Sequence, residues 1–404
     1  MRTGRPASIL VIVMITLVLT SAALVAFLDR AANDLLVDAR AAEAERLRPD
    51  AYSALEVVLG VLDEFRSADN GLHHPSEGWA DPLGWAGWTP PDGRTVEVSF
   101  QDESGKIPLR SATTTELLNL FQYWGMSQPD AQKMTDSIYS WMHQNYTPTS
   151  AVEADYEQAA VPYDPPYRPI RSIGELAAID DARDYFYTNG QPNAWWWRFY
   201  QDFSVYNYAR PNINGANSDV LAAVGQFTIE QQQGLAQYLA GTSDRSTVNR
   251  TWFQSVADLQ LAMGNSSGNP GAFAFTATAL RIFITVHDGK SSYRLSAVVA
   301  PSSGGAQTVQ TTATDVKQSQ QNAQTGESNN ATQVTAAAAP TTSPNAAQRS
   351  AAQGANLQYP FRFLAIEEDE NIPNVPPVPV PENPDPAAPP ANPFSPVVPP
   401  LPNQ

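Results

Sequence analysis

The chain has 404 residues, a formal net charge of −17, a pI near 4.6 and no cysteine. The acidic balance argues against a nucleic-acid binder, because affinity for phosphate backbones depends on Lys and Arg. Without cysteine, disulfides and thiolate metal sites are excluded, so stability must come from packing. Nine Trp and fifteen Tyr, several of them between Trp195 and Tyr200, predict a core in which aromatic rings bury large areas.

The first predicted element is a long N-terminal helix. Arg2 and Arg5 precede an uncharged apolar run from Pro6 to Leu28, which can cross a bilayer at about 1.5 Å of helical rise per residue. Helix formers continue from Asp29 to Leu62, with Pro49 as the expected kink. The apolar residues that predict a packed face on this extension are Leu35, Leu36, Ala42, Leu47, Ala51, Leu55, Val58 and Leu62.

The apolar run has two interpretations. The positive residues on its N-terminal side place that end in the cytoplasm and the bulk of the chain outside. A cleavable secretory signal has an apolar region of only about 7–15 residues, although Ala22, Ala23 and Ala26 resemble its cleavage site. The run therefore either begins one long helix that leaves the membrane or is a simple signal anchor or signal peptide.

A strand, a turn and two helices follow. Arg94 to Phe100 alternates and is rich in β-branched residues, which predicts a strand, and Asp102 to Gly105 forms the turn. Ile107 to Arg110 is a short extended piece. Thr113 to Tyr123 and Ser127 to His143 predict helices, with a threonine and a serine as N-caps and Gly125 as the stop between them.

The same order of elements returns further along the chain. The segment from Ile107 to Leu117 aligns at a constant offset with Pro211 to Leu221, and each copy continues through a helix, a glycine and a second helix. Arg171 to Leu176 corresponds in the same way to Gln254 to Leu259. This pattern predicts two degenerate helical-hairpin repeats joined by a Tyr- and Pro-rich crossing at 146–169.

The last predicted elements are strands. Ala279 to Val286 and Tyr293 to Val299 are β-rich runs around an Asp-Gly hairpin signal, and Tyr359 to Ile366 can add a third antiparallel strand. Between them, residues 301–358 are mostly Ser, Thr, Gln, Asn and Ala, which predicts a disordered insertion. Residues 367–404 are acidic and then Pro-rich, which predicts an extended tail.

Local segments in this order resemble a known family. They are Phe100–Thr113, Asp136–Trp141, Ala151–Tyr156, Pro165–Pro169, Ser172–Leu176 and Asn212–Asn214. The chain resembles the type II secretion minor pseudopilin of the K class, general secretion pathway protein K. The resemblance implies an α+β fold in which a long hydrophobic helix joins a pilin-like antiparallel sheet with a large helical domain inserted between its strands.

The resemblance and the composition together divide the chain into seven parts. They are a leader peptide at 1–7, a transmembrane and assembly helix at 8–66, the first part of a pilin-like domain at 67–105, an inserted helical domain at 106–270, late pilin-like strands at 271–300 and 359–366, the insertion at 301–358 and the tail at 367–404. The implied role is to initiate or cap the pseudopilus tip during export across the outer membrane. The implied partners are other minor pseudopilins, the inner-membrane secretion platform and prepilin peptidase, with no nucleic acid. The alternative is a permanently anchored periplasmic binding or adhesion module.

The resemblance also implies processing and assembly residues. The family's peptidase cuts after a small residue before the apolar helix, and Gly4 and Ala7 are the two candidates. Major pseudopilins carry a Glu at the fifth mature position, where this chain has Ile9 or Ile12, and a subunit without that carboxylate suits the filament tip. The residues expected to carry the membrane and assembly role are Ile9, Leu10, Ile12, Leu17 and Leu28.

Metal and catalytic sites have weaker support. Some family members bind calcium through acidic loops, and the candidate ligands here are Glu153, Asp155, Glu157 and Asp164. A transition-metal site at His73–His74 lacks a third nearby ligand, and the acid pairs Glu367–Glu368 and Asp180–Asp181 are interpreted as solvated charge.

The sequence has no nucleophile elbow or S-x-x-K setting in helical context, so we expect no enzyme. The single glycine of each hairpin turn, without basic flanks, does not favour helix-hairpin-helix DNA binding.

Overall fold

A computed structural model describes residues 6–91, 93–150, 156, 161–243, 250–264, 267–289, 291–308 and 359–368. The helices are α1 Pro6–Asp69, α2 Pro82–Ala86, α3 Thr114–Tyr123, α4 Gln128–Met142, α5 Ala182–Phe186, α6 Ala194–Asp202, α7 Ser218–Ala223, α8 Ile229–Leu239 and α9 Val256–Met263. The strands are β1 Arg94–Asp102, β2 Ile107–Pro108, β3 Tyr187–Thr188, β4 Gln191–Pro192, β5 Phe203–Ser204, β6 Leu280–Asp288, β7 Ser291–Pro301 and β8 Phe361–Glu368. The α+β class predicted from the sequence is confirmed.

Helix α1 has two halves with different surroundings. From Leu10 to Arg46, the described side chains are exposed except for Ala31, which is half-buried. The buried face begins at Leu47 and recurs at helical spacing through Leu62. The predicted face is therefore correct from Leu47 onward and wrong at Leu35, Leu36 and Ala42, which are exposed because the sheet does not extend that far along the helix. The helix continues through Pro49.

The main sheet is antiparallel, with strand order β1-β6-β7-β8. Alternate residues of its strands point to opposite faces. On one face, Ile282, Ile284 and Leu295 pack with the second half of α1 in a single apolar cluster. On the other face, Val298 and Ala300 pack with aromatic and small residues that follow β5 and β7. The sheet is thus the middle layer between α1 and the inserted region.

The inserted region has its own core, built from helices α3 to α9 and the loops between them. Local sequence starts these helices as predicted: Thr113 and Glu116 form a reciprocal capping box on α3, and Ser127 caps α4. Helix pairs lie on either side of Gly125 and of Gly225, as the two predicted copies require, and their origin as repeats stays a prediction.

Chain boundaries near the predicted insertion and tail differ in detail from expectation. Strand β7 includes Pro301, and the backbone of Gln307 forms an antiparallel bridge with Asn207, so the chain is still ordered at the start of the 301–358 segment. Strand β8 extends through Glu368, two residues past its predicted end. Residues 309–358 and 369–404, on which the disorder predictions fall, lie outside the described residues.

Candidate functional site

The first candidate site is the apolar half of α1. Leu10, Ile12, Leu17 and Leu28 expose between 56% and 65% of their surface. The segment Leu10–Ala39 contains an 18-residue stretch with a mean hydropathy of 2.7 and is long and apolar enough to cross a membrane by length and composition. The structure thus brings the predicted assembly residues together along the half of α1 whose described side chains are exposed.

The processing residues precede this half or begin it. Gly4 lies outside the described residues. Ala7 lies in the first turn of α1, and Ile9 two residues further along the same helix. The choice between Gly4 and Ala7 therefore stays a prediction.

The second candidate site is the turn that leads from β1 into the inserted region. Glu103, Ser104 and Gly105 form a short 3-10 helix, capped by Asp102, whose carboxylate accepts from the backbone and hydroxyl of Ser104 at 2.9 and 2.7 Å. The sequence predicts a turn here, and in the structure Glu103 and the adjacent Lys106 are each only 3% exposed. The turn is buried because the inserted region folds back over it.

A buried ion network connects this turn to the sheet. We call Glu103, Lys106, Arg281 and Glu367 the junction network. Lys106 Nζ lies 2.9 Å from Glu103 Oε2, Arg281 Nε lies 3.4 Å from the same oxygen, and Arg281 Nη1 lies 3.0 Å from Glu367 Oε2. Burial raises the pKa of Glu103, but the two cations outweigh it and hold that pKa below its usual value. The network joins β6, β8 and the entry to the inserted region.

The acid pair Glu367–Glu368 is a correction to the sequence interpretation. Glu367 accepts from Arg281, and Glu368 accepts from Arg48 Nη2 at 2.8 Å and from the hydroxyl of Tyr52. Because β8 extends through both residues, the Glu367 and Glu368 side chains are placed against cations of β6 and α1, with 34% and 31% of their surface exposed.

The pair Asp180–Asp181 is also ion-paired in part. Asp181 accepts from Lys133 and from the hydroxyl of Ser137 at 3.0 Å, and Asp180 lies 3.4 Å from Arg183. The solvated-charge interpretation is therefore wrong for Asp181, which fixes helix α4 against the start of α5.

Two glycines allow the turn after β1 to meet the start of the second predicted copy. A Cβ at Gly105 would lie 2.4 Å from the carbonyl carbon of Gly215, and a Cβ at Gly215 would lie 2.3 Å from Asp102 Oδ2. Asn212 Nδ2 donates to the same carboxylate oxygen at 2.6 Å. Burial raises the pKa of Asp102 to about 6, against the opposing effect of these donors. The turn at 102–106, which precedes the first predicted copy, thus packs directly on residues 211–216 at the start of the second copy.

A buried pair of carboxylates, Asp202 and Asp219, lies inside the inserted region. Trp124 Nε1 donates to Asp202 Oδ2 at 3.2 Å and to Asp219 Oδ2 at 3.1 Å, and Arg198 donates to both oxygens of Asp219. Burial and the neighbouring Asp219 carboxylate raise the pKa of Asp202 well above its usual value. The pair connects α3, α6 and α7, and the sequence offered no signal for it because the residues lie far apart along the chain.

The predicted metal residues are not assembled by the described structure. Glu153, Asp155 and Glu157 lie outside the described residues, and Asp164 is exposed. Among the residues that the structure describes, no group of three or more His, Asp or Glu side chains is placed to hold a metal ion. His73 is buried, and its Nδ1 bonds to Glu77, which also accepts from Trp79 Nε1 at 2.8 Å.

Comparison with known proteins identifies part of the chain. Residues 99–193 match the family described as type II secretion system (T2SS), protein K. These residues belong to the type II secretion protein K family. The K-class resemblance seen in the sequence is thereby confirmed, and so is the minor-pseudopilin function that it implied. The protein K segment begins in β1, contains the buried turn of the junction network and α3 to α5, and ends immediately before α6.

Other comparisons add less. None of the curated proteins compared with the chain matches it. The chain is also similar to a solved structure described as the crystal structure of the GspK-GspI-GspJ complex from the enterotoxigenic Escherichia coli type 2 secretion system. That similarity has a TM-score of 0.47 at 13% identity and covers 66% of this chain and 95% of the other. The protein K assignment rests on the family match.

Proposed function

We propose that this chain is a non-enzymatic tip subunit of a type II secretion pseudopilus. The observation that carries the proposal is the combination of a protein K segment with a helix whose apolar half is exposed. Exposed contiguous apolar surface of this extent needs lipid or protein around it. Stored in the inner membrane with a cytoplasmic N-terminus, the helix would later transfer into a bundle with the helices of other minor pseudopilins.

The tip position is favoured by the residue at the fifth mature position. Cutting after Gly4 places Ile9 there, and cutting after Ala7 places Ile12 there. Neither residue supplies a carboxylate to neutralise the N-terminal amine of a subunit ahead in the filament. The chain is thus suited to the first position, with other minor pseudopilins, the inner-membrane platform and prepilin peptidase as its partners.

Processing separates this proposal from a permanently anchored periplasmic module. Mass spectrometry of the mature N-terminus, in cells with and without prepilin peptidase, is expected to show a start at Arg5 or Ser8 only when the peptidase is present. Gly4→Leu and Ala7→Leu, made separately, identify the cut, because only one of them blocks it. An intact Met1 in peptidase-containing cells would sink the pseudopilin proposal in favour of the anchor.

Calcium binding by the acidic loop is a separate proposal. Asp164, together with Glu153, Asp155 and Glu157, would supply the hard oxygen ligands that Ca²⁺ prefers. A ligand that binds only the folded chain raises its stability by mass action, so millimolar calcium is expected to raise the melting temperature and a chelator to lower it. Asp164→Asn should reduce this shift. An equal melting temperature with calcium and with chelator would refute binding at this loop.

A further inference from the structure

A cleft separates strand β8 from the inserted region on the second face of the sheet. Its volume is about 400 Å³. The walls are mainly aromatic and apolar, and include Trp196, Tyr200, Phe203, Tyr206 and Leu364. The rings of Trp196 and Tyr200 stack with centroids 5.7 Å apart and 12° between their planes, and both residues are only partly buried. The cleft therefore presents flat, accessible ring surface.

Charge is arranged around the cleft with a cation at the rim. Arg281 and Glu103 lie deep in it and neutralise each other, while Glu367, with a side chain 34% exposed, lies nearer the opening. Arg171 also lines the cleft and is exposed, and its backbone N–H is held by Glu175. In a chain with a net charge of −17, an exposed guanidinium beside an aromatic cleft favours an occupant that carries acidic residues.

Two segments outside the described residues start at this cleft. Thr308 lines it and is followed by residues 309–358, and Glu367 lines it two residues before the second segment, 369–404, begins. The first segment is built from Ser, Thr, Gln, Asn and Ala, which offers little to an aromatic surface. The second segment, the tail from residue 369 to 404, differs, because fourteen of its 36 residues are proline and it contains no Lys or Arg.

The prolines of the tail follow a regular spacing. They occur at every third position from residue 390 to the end, at Pro390, Pro393, Pro396, Pro399 and Pro402. A polyproline II helix has three residues per turn, so this spacing puts all five rings on one edge of such a helix. Aromatic-lined grooves bind Pro-rich segments in this conformation with little entropy cost. The acids Glu382 and Asp385 precede the run.

We propose that the Pro390–Pro402 run of this chain's own tail docks in the aromatic cleft, with Glu382 and Asp385 directed toward Arg171. Pro390 lies 22 residues beyond Glu368, a span of up to about 68 Å at about 3.1 Å per residue, which leaves slack for the chain to turn back. Tethering at the edge of the cleft gives the run an effective concentration on the order of millimolar. Weak side-chain contacts are then sufficient for the run to occupy the cleft. This interaction is independent of the secretion role.

Photocrosslinking of the full chain in detergent tests the proposal. Phe394 is replaced by photoreactive p-benzoylphenylalanine, and crosslinked peptides are mapped by mass spectrometry. The expected product has the mass of a single chain and joins position 394 to residues 196–206 or 364–365. Because occupancy depends on the tethered run, changing Pro390, Pro393, Pro396, Pro399 and Pro402 to Ala is expected to lower its yield about tenfold.

Two further variants make the result decisive. Changing Pro373, Pro376, Pro377, Pro379 and Pro386 to Ala alters as many prolines outside the run and should leave the yield unchanged. Leu364→Glu places a charge in the cleft and should lower the yield without changing the far-UV circular dichroism. If Leu364→Glu does not fold, the two tail variants still decide, because they change no residue of the described helices and strands.

Three outcomes would overturn the proposal. Crosslinks scattered over the surface would show that the run has no fixed site. Crosslinked dimers without the intramolecular product would show that the cleft takes the tail of a second copy. A crosslink to the same cleft residues from a photoreactive group at Thr335, with none from position 394, would show that the 309–358 segment is the occupant.

Discussion

Replacing Arg281 with methionine tests whether the junction network holds the inserted region on the sheet. Arg281 is 5% exposed and contacts Glu103, Glu367 and the hydroxyl of Ser296. Removing one partner of a buried ion pair costs roughly 3–5 kcal/mol, because a charge is left uncompensated. Lys106 remains 2.9 Å from Glu103 and limits this penalty. We therefore expect Arg281→Met to lower the free energy of unfolding by about 2–3 kcal/mol.

Urea unfolding of the full chain in detergent measures this change. With a typical dependence of about 1–3 kcal/mol per molar urea, the midpoint should fall by roughly 1 M. Arg110→Met is the matched control, because Arg110 is exposed, and it should change stability by less than about 0.5 kcal/mol.

A double-mutant cycle with Glu103→Gln then isolates the pair. If Arg281 and Glu103 interact across the junction, the double variant should lose less free energy of unfolding than the sum of the two single variants, by about 0.5–3 kcal/mol. Equal midpoints for Arg281→Met and Arg110→Met would refute the reasoning. So would strict additivity in the cycle, since it would mean that the buried charges do not act on each other.

Three further predictions follow from other sites. Asp202→Asn should raise stability at neutral pH and flatten the dependence of stability on pH. The raised pKa of Asp202 means that the folded chain holds a proton that the unfolded chain releases, so stability falls as pH rises above the pKa of Asp202 in the unfolded chain. Asparagine removes this titration. Denaturant midpoints across pH check this, and an unchanged slope would contradict it. Gly215→Ala should lower the free energy of unfolding by about 1–3 kcal/mol, because its Cβ overpacks against Asp102. The control Gly60→Ala, with open space around its Cβ, should be neutral or stabilising in thermal melts. Leu17→Arg should shift the chain from the membrane to the soluble fraction, since arginine at a helix centre costs about 2.5–3.5 kcal/mol on insertion, while Ala42→Arg should not.

Local features of the fold could be predicted from the sequence because their signals lie within a few residues. The capping box of Thr113 and Glu116 fixes the start of α3, and the Asp288-Gly289 turn fixes the register of β6 against β7. The alternation of Arg94 to Phe100 likewise identified β1, which continues two residues further than expected. Each of these is decided by capping, turn chemistry or period, which short windows of sequence contain.

The junction could not be predicted because its partners are far apart along the chain. Glu103 and Arg281 are separated by 178 positions, and an acidic residue in a turn is normally solvated. The sequence assigns Glu367 and Glu368 to the start of the tail, since nothing local shows that β8 places them beside Arg281 and Arg48. Apolar spacing also cannot show where a packed face begins, which is why Leu35 and Leu36 were assigned to it.

The layered arrangement gives the junction a mechanical role in the proposed assembly, in which the helix moves the subunit. Helix α1 is continuous from Pro6 to Asp69, so its exposed half and its half packed on the sheet move as one element. In the proposed assembly, force applied to the apolar half would therefore reach the sheet directly. The inserted region has a separate core and receives that force through the chain connections and the contacts on the second face of the sheet. Among those contacts the junction network joins β6, β8 and the entry turn, so weakening it should separate the inserted region before the helix leaves the sheet.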